Sequence, residues 1–276
     1  MSRTPKTLIA RLQRSFLAPK LLAMQSAARR TVVNNSVTRW AYAPAAGSLP
    51  LPPAGLMHLV QNSTDPALYM WGGFMAADDI KTFLFRNSLS MEKFTSILDF
   101  GCGCGRVIRY WRGVPGELHG TDYNPGMIRW CQRNLPFRFN QNGLDPPLSF
   151  RDEQFDFIYA FSVFTHLDAA RQLRWMAELT RTLRRGGYLL LTTHGTRHLR
   201  MLDEQERREF DEGRLVVRFA SDAGANACLA FHPESWVRSH LAGEAVLLDY
   251  APWGASGLMG HDMYLFRRGE EIVEAG

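Results

Sequence analysis

One short stretch restricts this chain more than any other. Residues 96–100 read Ser-Ile-Leu-Asp-Phe, an apolar run that ends on an acid, and Gly101, Gly103 and Gly105 follow at alternate positions. An apolar run of that length, closed by glycines, is a buried strand running into a tight turn. Glycines there let the backbone take positive φ and let a ligand approach the main chain closely. Residues 106–112 then read as a helix, whose first N–H groups would be unpaired and available. From residue 96 onward such apolar runs alternate with helical periods. Strands are expected at 96–100, 117–121, 137–140, 155–160, 188–193, 245–250 and 263–267, and helices at 106–112, 125–134 and 168–184. Strand and helix in alternation predict an α/β fold with a parallel sheet covered on both faces. Asp168 is placed to cap the last of these helices, and Gly186-Gly187 to stop it.

Before this region, residues 56–61 and 76–89 look helical. Residues 42–55 hold Pro44, Pro50, Pro52 and Pro53 and read as a linker or a loop over the domain. The first 30 residues carry Arg3, Lys6, Arg11, Arg14, Lys20, Arg29 and Arg30 and no acid, which places much of the net charge of +5 there. That segment reads as an amphipathic helix. It packs on its own domain, makes weak contact with a membrane surface, or serves as a targeting segment. After residue 193 the alternation pauses. Residues 195–231 read as an insertion over the site, with a helix at 203–212 and strand-like runs at 215–219 and 227–231; residues 233–241 are helical. The expected organisation is a basic helical extension and linker over 1–65, then one domain over 66–276.

Composition excludes more than it selects. At 46% hydrophobic and 21% charged, the chain can build a core without disulfides or metal. Cys102, Cys104, Cys131 and Cys228 lack the spacing of a zinc knuckle and read as reduced thiols, so no metal is expected. No run of about 18 apolar residues is present to span a bilayer, and no A-x-A cleavage site follows the N-terminus; a cytoplasmic protein is expected. No dedicated nucleic-acid module is evident.

The glycine spacing narrows the ligand. A dinucleotide loop is GxGxxG, but counting from Gly101 puts Arg106 where the third glycine belongs, and counting from Gly103 puts Ile108 there. A phosphate-binding GK[ST] is also absent. Asp99, two residues before Gly101, would repel a pyrophosphate and suits a ligand carrying an ammonium and a sulfonium. Asp122 lies 17 residues beyond Gly105, near the spacing at which an acid meets a ribose diol. It could equally cap the helix at 125–134, a role open to Asn124 as well. Tyr123 and Met127 could flank an adenine ring.

The segments ILDFGCGCGR, GTDYN, FDFIYAFSVFTHL and RTLRRGGYLLLTTHG, in this order, resemble class I S-adenosylmethionine-dependent methyltransferases. The resemblance covers about residues 96–195. It implies a doubly wound, seven-stranded, mostly parallel sheet (a Rossmann-like methyltransferase fold) with the last strand antiparallel. It implies S-adenosyl-L-methionine as co-substrate. Asp99 would contact the methionine amino group, and Gly101, Gly103 and Gly105 would line the methionine and ribose. Asp122 would hold the ribose diol, Tyr123 and Asn142 would meet the adenine, and Phe161 and Ser162 would lie beside the methionine moiety.

Methyl transfer needs alignment and exclusion of water, and a base only for some nucleophiles. His194 and His166, each after a strand expected to end at the ligand crevice, are the candidate bases; His232 and His261 are further options. Tyr250, Trp253, Met259, Phe231 and Trp236 form either an acceptor pocket or ordinary core. The reading is O-methylation of a small-molecule or sugar-like acceptor. A nicotinamide-dependent oxidoreductase and a non-catalytic S-adenosylmethionine-binding protein are the alternatives. Nothing in the sequence decides the oligomeric state.

Overall fold

The computed structural model describes residues 49–256 and 260–269. The basic segment 1–30, residues 42–48 of the Pro-rich stretch, and Met259 lie outside the described residues.

Seven strands form one sheet: β1 (Ser96–Phe100), β2 (Glu117–Asp122), β3 (Arg138–Gln141), β4 (Phe155–Ala160), β5 (Leu183–Thr193), β8 (Ala245–Ala255) and β9 (His261–Arg268). Their order is β3-β2-β1-β4-β5-β9-β8. All pairs from β3 to β5 are parallel, and β9 runs antiparallel to both β5 and β8. This is the expected doubly wound sheet with an antiparallel last strand. The order reverses direction at β1 and β4, which places a crevice at their carboxyl ends.

Alternation along the central strands explains why the sheet is covered twice. Ile97, Phe157, Tyr159, Leu190, Met263 and Leu265 enter one core, and their neighbours Leu98, Ile158, Leu189, Leu191, Tyr264 and Phe266 enter the other. Successive side chains on a strand point to opposite faces, so strands apolar at every position require helices on both sides. On the first face lies α2 (Pro66–Arg86), using Ala76, Ile80, Phe83 and Leu84. On the second lie α4 (Ala169–Thr182), using Trp175, Met176 and Leu179, and α6 (Glu234–His240), using Trp236 and Val237.

Helix α2 starts ten residues before the expected residue 76, because Asp65 caps it by accepting from Ala67 N (2.9 Å) and Pro66 occupies its first turn. Helix α3 (Pro125–Asn134) has the expected bounds. Asp168 caps α4, as expected, through Arg171 N (2.9 Å). The end of α4 differs from expectation. The helix stops at Thr182, and Leu183 opens β5 before the glycines, with a pairing shift against β4 at Phe155/Phe157. Pairing with β4 therefore captures residues that helical periodicity alone would add to the helix. The arginines of this region are drawn to acids: Arg174 to Asp145 (2.5 Å), Arg181 to Glu178 (2.6 Å), and Arg185 to Glu153 (3.4 Å).

The expected helix at 106–112 is absent. A single 3-10 turn, Ile108–Trp111, stands there. Gly105 (φ +70°) and Gly113 (φ +95°) bound the segment, which leaves too few residues for two α-turns.

Beyond β5 lie a 3-10 turn (Thr196–Met201), α5 (Glu204–Asp211) and a two-stranded antiparallel sheet of β6 (Val216–Arg218) and β7 (Leu229–Phe231). Upstream of α2, α1 (Ala54–Gln61) packs Met57 against Tyr69, Cys104 and Met127. No described helix is long and apolar enough to cross a membrane.

Candidate functional site

At the carboxyl ends of β1, β2 and β4 lies a cavity of about 280 Å³. Its floor is the turn after β1. Gly101 N and Cys102 N both donate to Thr121 O, at 2.8 and 2.9 Å, and Gly103 N donates to Asp122 Oδ2 at 2.9 Å. The turn is thus suspended from the end of β2. Gly101 and Gly103 have φ of +75° and +54°. A Cβ on Gly101 would run into Val163, and one on Gly103 would come within 3.0 Å of Val60 Cγ2. Gly105 behaves differently. It is not in the cavity wall, and a Cβ there would meet Leu135 Cδ1 at 2.5 Å. Its smallness seats α3 against the turn.

Two carboxylates flank the turn. Asp99 is 3% exposed, and its Oδ2 has no hydrogen-bond partner among the described residues. Burial raises its pKa to about 7; the Tyr159 hydroxyl opposes the shift, and the charge of Asp122 adds to it. A buried acceptor without a donor costs free energy unless a ligand supplies one. Asp122 accepts from Gly103 N through one oxygen and from Asn124 N (2.8 Å) through the other, and burial raises its pKa. The cap of α3 is Asn124, which accepts from Gly126 N (2.9 Å) and Met127 N (3.2 Å), so Asp122 is free of that role. Arg106 also lines the cavity, buried and within electrostatic reach of Asp99. The sequence reading passed over it, having used position 106 only to reject a dinucleotide loop.

Tyr123, Met127 and Asn142 line one end of the cavity. Asn142 is fixed by its N–H to Asp122 O (3.2 Å) and by its Oδ1, which accepts from Thr121 Oγ1 (2.8 Å). Phe161 and Ser162 line the other end, just beyond β4. Ser162 sits at φ +62°, with its N–H on Thr192 Oγ1 at 2.8 Å.

The two candidate histidines part company. His166 lines the cavity. Its Nδ1 lies 2.8 Å from Cys228 O, and because a carbonyl only accepts, Nδ1 carries the proton and Nε2 keeps its lone pair. Burial lowers its pKa, so the ring is neutral near pH 7. His194 is not in the wall; it stands beside His198 and His261, with ring centroids 4.4 and 4.7 Å away. His232 is fully buried, with Nε2 3.0 Å from Gln172 Oε1. The aromatic residues named as a possible acceptor pocket lie outside this cavity. Phe231 and Trp236 are core, Trp253 is half exposed, and none of these or Tyr250 lines the cavity.

The roof comes from two distant segments. His58, Leu59, Val60 and Asn62 reach in from α1, which the expected boundary at residue 65 had assigned outside the domain. Gly224, Ala225 and Asn226 come from the stretch after β5. Gly224 N donates to His166 O (2.7 Å), and Asn226 Nδ2 donates to Leu59 O (2.7 Å), so the roof is joined across the cavity. A Cβ on Gly224 would lie 3.6 Å from the Tyr123 ring.

Residues 98–191 match the family model of a methyltransferase domain. The malonyl-[acyl-carrier protein] O-methyltransferase of Enterobacter lignolyticus (strain SCF1) is 28% identical over 142 residues, 51% of this chain and 55% of that protein. Phthiotriol/phenolphthiotriol dimycocerosates methyltransferase 1 of Mycobacterium ulcerans (strain Agy99) is 36% identical over 103 residues, 35% of this chain and 36% of that protein. The chain therefore spans about half, or less, of the length of these curated relatives. In fold it is similar to the Burkholderia thailandensis 1,6-didemethyltoxoflavin-N1-methyltransferase, solved with 1,6-didemethyltoxoflavin and S-adenosylhomocysteine. That structure gives a TM-score of 0.52 at 17% identity, covering 80% of this chain and 92% of that one.

Proposed function

We propose that this chain, whose residues 98–191 match a methyltransferase-domain model, is a class I S-adenosylmethionine-dependent methyltransferase whose cavity binds S-adenosyl-L-methionine and transfers the methyl group to an oxygen of a small-molecule or sugar-like acceptor. The observation that carries this reading is the unpartnered Asp99 Oδ2, buried in the wall of a cavity that the Asp122 carboxylate also lines. A pyrophosphate would find two acids and only a short 3-10 turn behind the loop, whereas a ligand with an ammonium at one end and a diol at the other finds a partner for each.

In this reading Asp99 accepts from the methionine ammonium, and Arg106 faces the methionine carboxylate. The peptide groups of Gly101 and Gly103 line the chain between. Asp122 uses its remaining lone pairs for the ribose hydroxyls, and Tyr123, Met127 and Asn142 hold the adenine. The bound sulfonium supplies an activated methyl group and departs as a neutral thioether, so no acid is needed at the leaving group. His166, neutral and with Nε2 unprotonated, accepts the proton of the acceptor hydroxyl. The roof of residues 58–62 and 224–226 excludes water.

The pH dependence of binding tests this assignment. Asp99 ionises near pH 4 when unfolded and near pH 7 in the free folded protein. Between these values the folded state holds the extra proton, so ionisation of Asp99 costs stability as pH rises through that window. A cationic ligand favours the carboxylate. S-adenosylhomocysteine affinity should therefore rise from pH 6 to pH 8, with proton release on binding, as measured by calorimetry in buffers of different ionisation enthalpy. Asp99→Asn should bind weakly and show no pH slope. A folded Asp99→Asn protein with wild-type affinity and slope refutes the role of Asp99.

A further inference from the structure

Behind the Phe161–His166 wall, three imidazoles meet outside the cavity. His194 directly follows β5, His198 lies in the 3-10 turn Thr196–Met201, and His261 opens β9. One donor nitrogen from each lies within 4.8 Å of the other two. His194 and His261 are buried, at 7% and 1% exposure, and His198 is half-buried. We propose that His194, His198 and His261 form a binding site for a divalent transition-metal ion of the zinc class.

The outer contacts are those a metal site needs. His194 Nδ1 lies 3.1 Å from Ala230 O, a carbonyl that can only accept, so the proton is on Nδ1 and Nε2 offers its lone pair. His261 Nδ1 lies 3.3 Å from Thr192 Oγ1, which leaves its Nε2 to the cluster. Ligating histidines are commonly oriented in this way by a carbonyl or hydroxyl on the other ring nitrogen.

An ion with Zn–N distances of about 2.0–2.1 Å in tetrahedral geometry needs nitrogens roughly 3.3 Å apart. Binding would therefore draw the three nitrogens together from their present separation of up to 4.8 Å. Three imidazoles suit zinc, nickel, copper or cobalt far better than magnesium or calcium.

Such an ion would tie the first turn after β5 to the ends of two sheet strands. It would also brace the cavity wall, since the His166 ring is 6.3 Å from His194 and Phe161 stacks 6.4 Å from His261. The proposal does not depend on methyl transfer.

Metal content and cobalt spectroscopy test it. The full chain, freed of metal with a chelator and then loaded with zinc or cobalt, should retain about one equivalent through gel filtration. The cobalt form should show the visible ligand-field absorption of a tetrahedral nitrogen site, and zinc should raise the melting temperature. His198→Gln and His194→Ala should each lose the retained metal and the spectrum, while His240→Ala keeps both. Wild-type protein that is folded by circular dichroism yet retains no metal overturns the proposal, whether or not the variants fold. Undiminished binding by His198→Gln overturns it as well.

Discussion

The floor and the roof of the cavity are built in opposite ways. The floor is made within one continuous stretch, from β1 (Ser96–Phe100) to α3 (Pro125–Asn134), and backbone N–H groups join its parts: two donate to Thr121 O, and Gly103 N donates to the Asp122 carboxylate. The roof is made by segments about 165 residues apart, and one side chain, Asn226, donates across to Leu59 O. The floor is preorganised because the N–H groups of Gly101, Cys102, Gly103 and Gly105 each find a local partner. The roof rests on contacts whose entropy cost is met only after the whole domain has formed. A preorganised floor with a lightly held roof suits a fixed co-substrate and a variable acceptor.

This contrast can be broken at the floor first. Gly103→Val forces a branched side chain into φ +54° against Val60. Backbone strain of about 1–2 kcal/mol and overpacking of about 1–3 kcal/mol should reduce S-adenosylhomocysteine affinity about 100-fold or more, by calorimetry. Retained affinity would show that the turn is softer than its hydrogen bonds imply. His166→Ala, where floor and roof meet, should lower kcat by about 100-fold and leave co-substrate affinity nearly unchanged, the signature of a lost general base. Equal effects on both would make the ring a structural prop.

Asp122→Ala should weaken co-substrate binding by about 1–3 kcal/mol, the range for a hydrogen bond to a charged group. A folded variant with unchanged affinity removes the ribose role. The smallest effect is expected at the roof. Asn226→Ala loses one hydrogen bond, worth about 0.5–1.5 kcal/mol, and should raise the acceptor KM a few-fold while co-substrate affinity holds. A larger effect on the co-substrate would mean the roof is part of the floor's design.

The floor was legible in the sequence because its determinants are local. Apolar alternation marked β1, β4 and α3 to the residue, the glycine spacing argued against a dinucleotide loop, and Asp99, Gly101, Gly103, Asp122, Tyr123, Asn142, Phe161 and Ser162 all line one cavity. Where local signals misled, a neighbour in space had overruled them. Pairing with β4 drew residues 183 and 184 out of the helix, and flanking glycines reduced residues 106–112 to a single 3-10 turn. Gly105 turned out to face Leu135 rather than the cavity.

Three things were left to the tertiary structure. It brought α1 and residues 224–226 over the cavity, chose His166 over His194 for the cavity wall, and gathered His194, His198 and His261 into one cluster. The physical reason is the same in each case. Period and spacing report what a residue does to its chain neighbours, while a side chain's partner across the fold depends on how the sheet, once closed, aligns the ends of strands far apart in sequence.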